Sequence, residues 1–264
     1  MIKDHKILIM RRLVQLIILL LFVGSAKLGW RILDGNLSTA EVLETFHLSD
    51  PYSVMQIIAS GYIPAMSVLI GSLIVIVFYF LLRGRMFCSW VCPINFITDS
   101  ASWMRKLLKI KPLVDSKKAS RDIRYYVFGL GLVLSAIFGF AAYDVFNPIS
   151  MMYRALVFGS LSGLLVVLFI FLFDLFILKN GFCGHICPVG AFYSVIGRWG
   201  VLKVFHNHDN CTNCMKCKVV CPEVQVLDII GLETDTIKMG ACTNCGACID
   251  ACNDNALDFK ITIK

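Results

Sequence analysis

The chain has 264 residues, 58% hydrophobic and only 16% charged, with a mean hydropathy of +0.75 and a formal net charge of +7. That composition is too apolar for an ordinary soluble domain and places most of the chain in a bilayer. The positive charge follows from where the basic residues fall along the chain and is no footprint of nucleic acid; no nucleic-acid partner is expected.

Four apolar stretches are long enough to cross the hydrocarbon core as helices, which takes ~20 residues. They are residues 13–30, 63–82, 125–143 and 155–178. Lys27 and Asp174 are the only charges within them, each near an end, and both are expected to reach towards the membrane surface. The first stretch follows Arg11 and Arg12 but lacks a small-residue cleavage site, so it reads as a retained helix. Residues 1–12 carry four Lys or Arg and residues 83–124 carry ten, against one in 31–62 and one in 144–154. The excess of basic residues puts both termini on the cytoplasmic side of a membrane that the chain crosses several times. The basic string at 105–111 suits anionic headgroups.

The membrane part reads as two parallel-repeat hairpins. "DPYSVMQ" at 50–56 opens the second span and "NPISMMY" at 147–153 opens the fourth, and each unit ends in Cys-x3-Cys-Pro, "CSWVCP" at 88–93 and "CGHICP" at 183–188. Units that enter from the same side are related by an axis along the membrane normal. Closing the two halves on each other would bring Cys88, Cys92, Cys183 and Cys187 into one four-thiolate site at the membrane edge. Soft thiolates select iron-sulfur, zinc or copper(I), and a redox role favours an additional iron or iron-sulfur centre. Pro93 and Pro188 bias the preceding cysteines away from helical dihedrals and make them candidate helix caps. His185, inside the second motif, is either a further ligand or an interfacial side chain.

Residues 1–205 thus form a four-helix membrane domain and residues 206–264 a cytoplasmic tail, reached through an amphipathic helix over "GAFYSVIGRWGVLKVF". All twelve cysteines lie in motifs assigned to the inner side, which points to metal or redox chemistry. The tail holds "CTNCMKCKVVCP" and "CTNCGACIDAC". Three cysteines at x2 spacing wrap one cluster, and the fourth, after x3, reaches the other. Cys211, Cys214, Cys217 and Cys252 are therefore assigned to one 4Fe-4S cluster, and Cys242, Cys245, Cys248 and Cys221 to a second. Zinc sites pair two knuckles and do not need the third cysteine of each loop. Gly246 suits a close backbone approach to a cluster. The fold class is an α-helical membrane protein of four transmembrane helices with a C-terminal bacterial-type two-cluster ferredoxin domain.

The outer turns carry polar groups beside the apolar starts of spans, suited to accepting or relaying protons. His47, Asp50 and, at the repeat-related place, Asn147 are the candidates. Asp50 and Asn147 also suit plain N-caps for helices that start at Pro51 and Pro148.

Taken together, "RRLVQ" at 11–15, "GNLS" at 35–38, "LSDPY" at 48–52, the two Cys-x3-Cys-Pro motifs and the paired ferredoxin motifs resemble the NapH-type membrane ferredoxin subunits of periplasmic nitrate reductase systems. The resemblance covers the whole length. It implies a quinol dehydrogenase component that takes electrons from the membrane quinone pool. The quinol site is then expected near the outer turns, at His47, Asp50 and Asn147, because quinol oxidation releases two protons and needs an acceptor. The electrons would pass through a ferredoxin-type iron-sulfur subunit or a multihaem c-type cytochrome towards a periplasmic nitrate reductase. The clusters would then face the cytoplasm while the terminal acceptor is periplasmic, so electrons must cross the membrane or the tail must serve another role. The chain carries no c-type haem, flavin or nucleotide motif, so it reads as one carrier of a complex. The alternative is a metal-handling or assembly protein for a metalloreductase.

Overall fold

A computed structural model describes residues 5–30, 32–42, 45–114 and 120–262, so the extreme termini, which the charge pattern puts in the cytoplasm, lie outside the described residues. The chain divides into two compact units. One comprises Met1–Leu16, Val77–Val91 and Tyr193–Lys264, the other Ile17–Ile76 and Cys92–Phe192.

In chain order, helix α1 (Lys6–Leu28) precedes three short antiparallel strands, β1 (Leu33–Gly35), β2 (Thr39–Val42) and β3 (Phe46–Ser49). Next come α2 (Pro51–Ala59), α3 (Met66–Leu82), α4 (Met86–Trp90), α5 (Ile94–Leu108), α6 (Ile123–Phe138), α7 (Ala142–Val145), α8 (Pro148–Phe158) and α9 (Leu161–Leu172). Two π-helical turns, Phe173–Ile177 and Phe182–Ile186, lead into α10 (Pro188–Ile196). The remainder is β4 (Leu202–His206), α11 (Lys216–Val220), a 3-10 turn (Val224–Leu227), β5 (Asp235–Thr236), α12 (Ala247–Asp250) and β6 (Leu257–Ile261).

In the second unit the "DPYS" and "NPIS" segments do not open the long apolar helices; each forms a short helix of its own. α2 ends at Ser60, where Gly61 adopts φ +89° and Pro64 follows, and α8 ends at Gly159 with φ +65°. α6 stops at Phe138 because Gly139, at φ +71°, takes the left-handed cap. The expected spans at 125–143 and 155–178 are therefore cut short at one end. α1 is the one described helix long and apolar enough to cross a membrane by itself, and α6 with Ala142–Phe158 passes as a pair bent by 102°.

The burial pattern of these helices is inverted relative to a water-soluble bundle. α3 buries only Gly71 and Ser72, α6 buries Arg124, Gly131 and Ser135, and α9 buries Gly163 and Ile170. Apart from Ile170, their Leu, Ile, Val and Phe side chains are exposed or half-exposed instead. Small residues at the contacts let backbones approach closely. At Gly71 an added Cβ would lie 1.9 Å from the carbonyl oxygen of His47, so β3 can cross α3 only over a glycine.

Two charged groups expected at the surface lie inside this unit. Asp174 is fully buried in the first π-helical turn and accepts the Phe182 N–H at 3.0 Å. Arg105, from the basic string, is also buried and donates to the carbonyls of Asp174 and Leu175. Freed carbonyls of a π-helical turn inside an apolar unit need donors, and the guanidinium supplies them.

In the first unit β4 pairs with both β5 and β6, with Val204 opposite Phe259 and His206 opposite Leu257. "VLKVF" is thus not helical; β4 is a sheet strand, and a boundary at 206 would cut it from its ladder. Val204, Val226, Leu227, Ile230, Ile237 and Leu257 form the core around the cysteine loops. The carboxylate of Asp250 accepts the N–H groups of Ile7 and Leu8, two of the unsatisfied donors at the start of α1.

Candidate cluster sites

The two cysteine loops share one backbone form. Asn213 and Met215 in the first, and Asn244 and Gly246 in the second, all have positive φ, at 58°, 58°, 47° and 70°. Left-handed residues in such a loop can bring neighbouring N–H groups to one side, where the sulfur atoms of a cluster would accept from them. Met215 holds this conformation at roughly 1–2 kcal/mol, a penalty Gly246 avoids. Gly246 has a second reason to lack a side chain: an added Cβ would meet Ile7 of α1 at 2.4 Å.

Each loop runs into a one-turn helix, α11 carrying Cys217 and α12 carrying Cys248. One cavity is lined by Cys242, Cys245 and Cys248 together with Cys221 from the other loop. A second is lined by Cys211, Cys214 and Cys217 together with Cys252. These are the two crossed sets named from the spacing. Among the described residues no three His, Cys, Asp or Glu side chains converge as ligands of a single ion, and the cysteines of each set stand around a cavity instead.

Burial pushes the Cys217 thiol up, and the nearby Cys252, Cys211 and Cys214 add to the effect. Cys248 is raised well above the ordinary thiol range by burial and then by Cys245, Cys242 and Cys221. Four such groups cannot all ionise unaided. A cation-rich cluster supplies the missing positive charge, so the donor set fits an iron-sulfur group.

The second loop is gripped by the segment between α3 and Cys88, within the same unit. Arg83 donates to the carbonyls of Ile237 and Met239, both at 2.7 Å. Arg85 donates to Glu223 at 2.7 Å and to the carbonyl of Ala241 at 2.9 Å. Ser89 reaches the Thr243 carbonyl and Trp90 the Asn244 carbonyl, and Arg11 reaches that of Cys245. The charge count treats Arg83 and Arg85 as inner-surface residues, yet both are buried. Their placement two residues apart beside a cysteine motif is the signal that could have marked them.

Of the membrane-motif cysteines, Cys88 sits in α4 and belongs to the first unit, whereas Cys92, Cys183 and Cys187 belong to the second. Cys187 is extended, with φ −64° and ψ 114°, and its carbonyl accepts the Ala191 N–H at the start of α10, as expected of a residue before proline. The cap of α5 is Pro93, one residue beyond Cys92. His185 is buried in the π-helical turn between Cys183 and Cys187.

The quinol candidates lie in a polar network of the second unit. Asp50 and Asn147 are N-caps, accepting from the Ser53 and Ile149 N–H groups. The Ser53 hydroxyl lies 3.3 Å from Asp50 and 3.1 Å from Asp144, whose carboxylate also accepts from Asn147 at 3.3 Å. The two repeat-related caps are thereby joined. Burial lifts the Asp50 carboxyl to about 6, with Asp144 adding to the shift. His47 instead faces Glu41 across the β2–β3 ladder at 2.7 Å and is half-exposed. Sequence reasoning missed Asp144 and two tyrosines. Tyr143 lies within electrostatic range of Cys187 and Cys92 as well as Asp50, and Tyr52 of Asp50 and Cys187. The Tyr143 hydroxyl is buried and has no hydrogen-bond partner among the described residues.

Paired four-cysteine cavities on a ferredoxin-like sheet define an electron-transfer iron-sulfur protein. The comparisons agree: residues 64–111 and 160–204 match the family model described as "4Fe-4S binding domain", and residues 203–253 match "4Fe-4S dicluster domain". The first two stretches each contain one Cys-x3-Cys-Pro motif. The chain is 41% identical to the ferredoxin-type protein NapH of Escherichia coli K12 over 99% of its own length and 91% of the relative's. It is 43% identical to the methylamine utilization ferredoxin-type protein MauN of Methylobacillus flagellatus, covering 97% and 90% of the two chains. NapH of Haemophilus influenzae is 39% identical over 97% and 90%. The chain belongs to the NapH and MauN family of ferredoxin-type proteins. No solved structure matches it.

Proposed function

We propose that this chain is the membrane subunit of a quinol dehydrogenase, crossing the bacterial inner membrane four times with both termini in the cytoplasm. It carries electrons from menaquinol or ubiquinol towards a periplasmic nitrate reductase through partner redox subunits. The inverted burial of α3, α6 and α9 supports the membrane reading, since outward-facing apolar side chains in such number need lipid. Two 4Fe-4S clusters, held by the crossed sets Cys211, Cys214, Cys217, Cys252 and Cys242, Cys245, Cys248, Cys221, would supply one-electron carriers. Cys88, Cys92, Cys183 and Cys187 would hold a further iron centre at the membrane edge.

The observation that carries the quinol reading is the Tyr52 and Tyr143 pair, whose rings meet edge to face at 5.5 Å and which lies within electrostatic range of both Asp50 and Cys187. Asp50, lifted to about 6, suits a group that accepts a proton from a quinol hydroxyl near neutral pH. Asn147 is committed to capping and to Asp144, so its part is to hold the network. His47 stands in a half-exposed pair with Glu41 and suits relay of protons to water.

NapH and MauN relatives stand at similar identity, which favours a second reading in which the same carrier serves a methylamine-utilization system. Anaerobic titration of the purified protein with menaquinol and ubiquinol analogues tests the proposal. Bound copper with clusters inert to quinol would support metal handling instead.

A further inference from the structure

Arg83 and Arg85 bring two guanidinium groups into the interior of the first unit, beside only one of its two cysteine cavities. Arg83 is fully buried, and although one of its nitrogens serves two carbonyls, Nε and Nη1 meet no hydrogen-bond acceptor among the described residues. A buried cation held this way is costly unless negative charge lies close by. Glu223 lines the cavity of Cys242, Cys245, Cys248 and Cys221 and pairs with Arg85, and among the described residues Arg83 has no carboxylate in salt-bridge contact. Both guanidiniums stand against the wall of that cavity: Arg83 holds the carbonyl of Ile237, which lines it, and Arg85 holds the carbonyl of Ala241, the residue before Cys242.

The other cavity is differently placed. Its Cys214 is exposed and Cys211 and Cys252 are half-buried, whereas all four cysteines of the first-named cavity are buried. The charged group lining it is the Asp254 carboxylate, hydrogen-bonded to exposed Thr212. Water screens charge there far better than the interior around Arg83 does.

A cluster gains one negative charge when it accepts an electron, and burial opposes that gain. Without compensation the cluster at Cys242, Cys245, Cys248 and Cys221 would be the harder of the two to reduce. We propose that Arg83 and Arg85 set the reduction potential of that cluster, offsetting its burial, while leaving the cluster at Cys211, Cys214, Cys217 and Cys252 untouched. This rests on the reading that both cavities hold 4Fe-4S clusters. The segment leading to Cys88 thereby acts as an electrostatic positioning element as well as a structural clamp.

The test is an EPR-monitored redox titration of the full-length protein, purified without oxygen, with iron and acid-labile sulfide counted in every sample. Wild type should show two clusters with separate midpoints. Arg83→Gln and Arg85→Gln should shift one reduction equilibrium at least tenfold towards the oxidised form, about 59 mV for a one-electron couple, and leave the other in place. Arg83→Lys should recover most of the shift. Glu223→Gln, which keeps the shape of the partner and removes its charge, should move the same cluster in the opposite direction. Midpoints unchanged in loaded arginine variants, or both clusters moving together, would overturn the proposal. If the arginine variants lose iron, Glu223→Gln decides: an upward shift of one cluster supports the proposal, and no shift or a downward one overturns it. A wild type that binds fewer than two clusters defeats the underlying reading instead, and the iron count separates that failure from the others.

Discussion

Trp90 donates its indole N–H to the carbonyl of Asn244 at 3.0 Å, inside the first unit. The residue two before Cys92 thus holds the backbone two beyond Cys242, a link across 154 positions of sequence. Trp90→Phe keeps the bulk and strands the carbonyl, which costs about 1–3 kcal/mol. The denaturant midpoint for loss of cluster absorbance should fall, while exposed Trp103→Phe should leave it unchanged.

The crossed cavities make opposite predictions for two serine variants. Cys221→Ser should weaken the cluster of Cys242, Cys245 and Cys248, and Cys252→Ser that of Cys211, Cys214 and Cys217. EPR of the full-length protein distinguishes them, because the exposed and buried clusters differ in surroundings. Each variant damaging the cluster of its own loop would contradict the crossing. The isolated tail is the wrong material, since its unit also includes Val77–Val91 and the start of α1.

Asp50, with its carboxyl raised from 3.8 to about 6, should give a pH signature. The folded protein holds this proton more tightly than the unfolded chain, so stability from this group is greatest below about 3.8 and is lost as pH rises through 6. Proton acceptance runs the other way and needs the carboxylate. Quinol-driven cluster reduction should therefore rise through pH 6 in wild type and stay low and flat in Asp50→Asn, which still caps α2. An unchanged rate in the variant would remove Asp50 from the mechanism.

Much of this was legible in the sequence. Apolar runs located the cores of α1, α3, α6 and α9, and the x2, x2, x3 spacing named both cavity linings. The breaks at Gly61, Gly139 and Gly159 were masked because apolar residues continue on both sides of them, so hydropathy does not fall where the chain turns. β1, β2 and β3 span only three or four residues each, too short for an alternating pattern to stand out. Arg83, Arg85, Arg105 and Asp174 read as surface charge because composition cannot tell a solvated guanidinium from one that satisfies buried carbonyls. Only the fold brings Ile237, Met239 and Ala241 to Arg83 and Arg85.

The membrane cysteines carry a separate prediction. If Cys88, Cys92, Cys183 and Cys187 hold a metal centre, anaerobically purified protein should contain iron beyond that of the tail clusters, and a variant with serine at all four positions should lose only that excess. Equal metal content in the two proteins would leave these cysteines without a metal role.

The most direct measurement is anaerobic addition of a menaquinol analogue to the full-length protein in detergent, followed by EPR at low temperature. Reduced 4Fe-4S signals should grow with quinol, appear faster above pH 6, and be suppressed in Asp50→Asn. Clusters that dithionite reduces but quinol leaves oxidised at every pH would contradict a quinol dehydrogenase role.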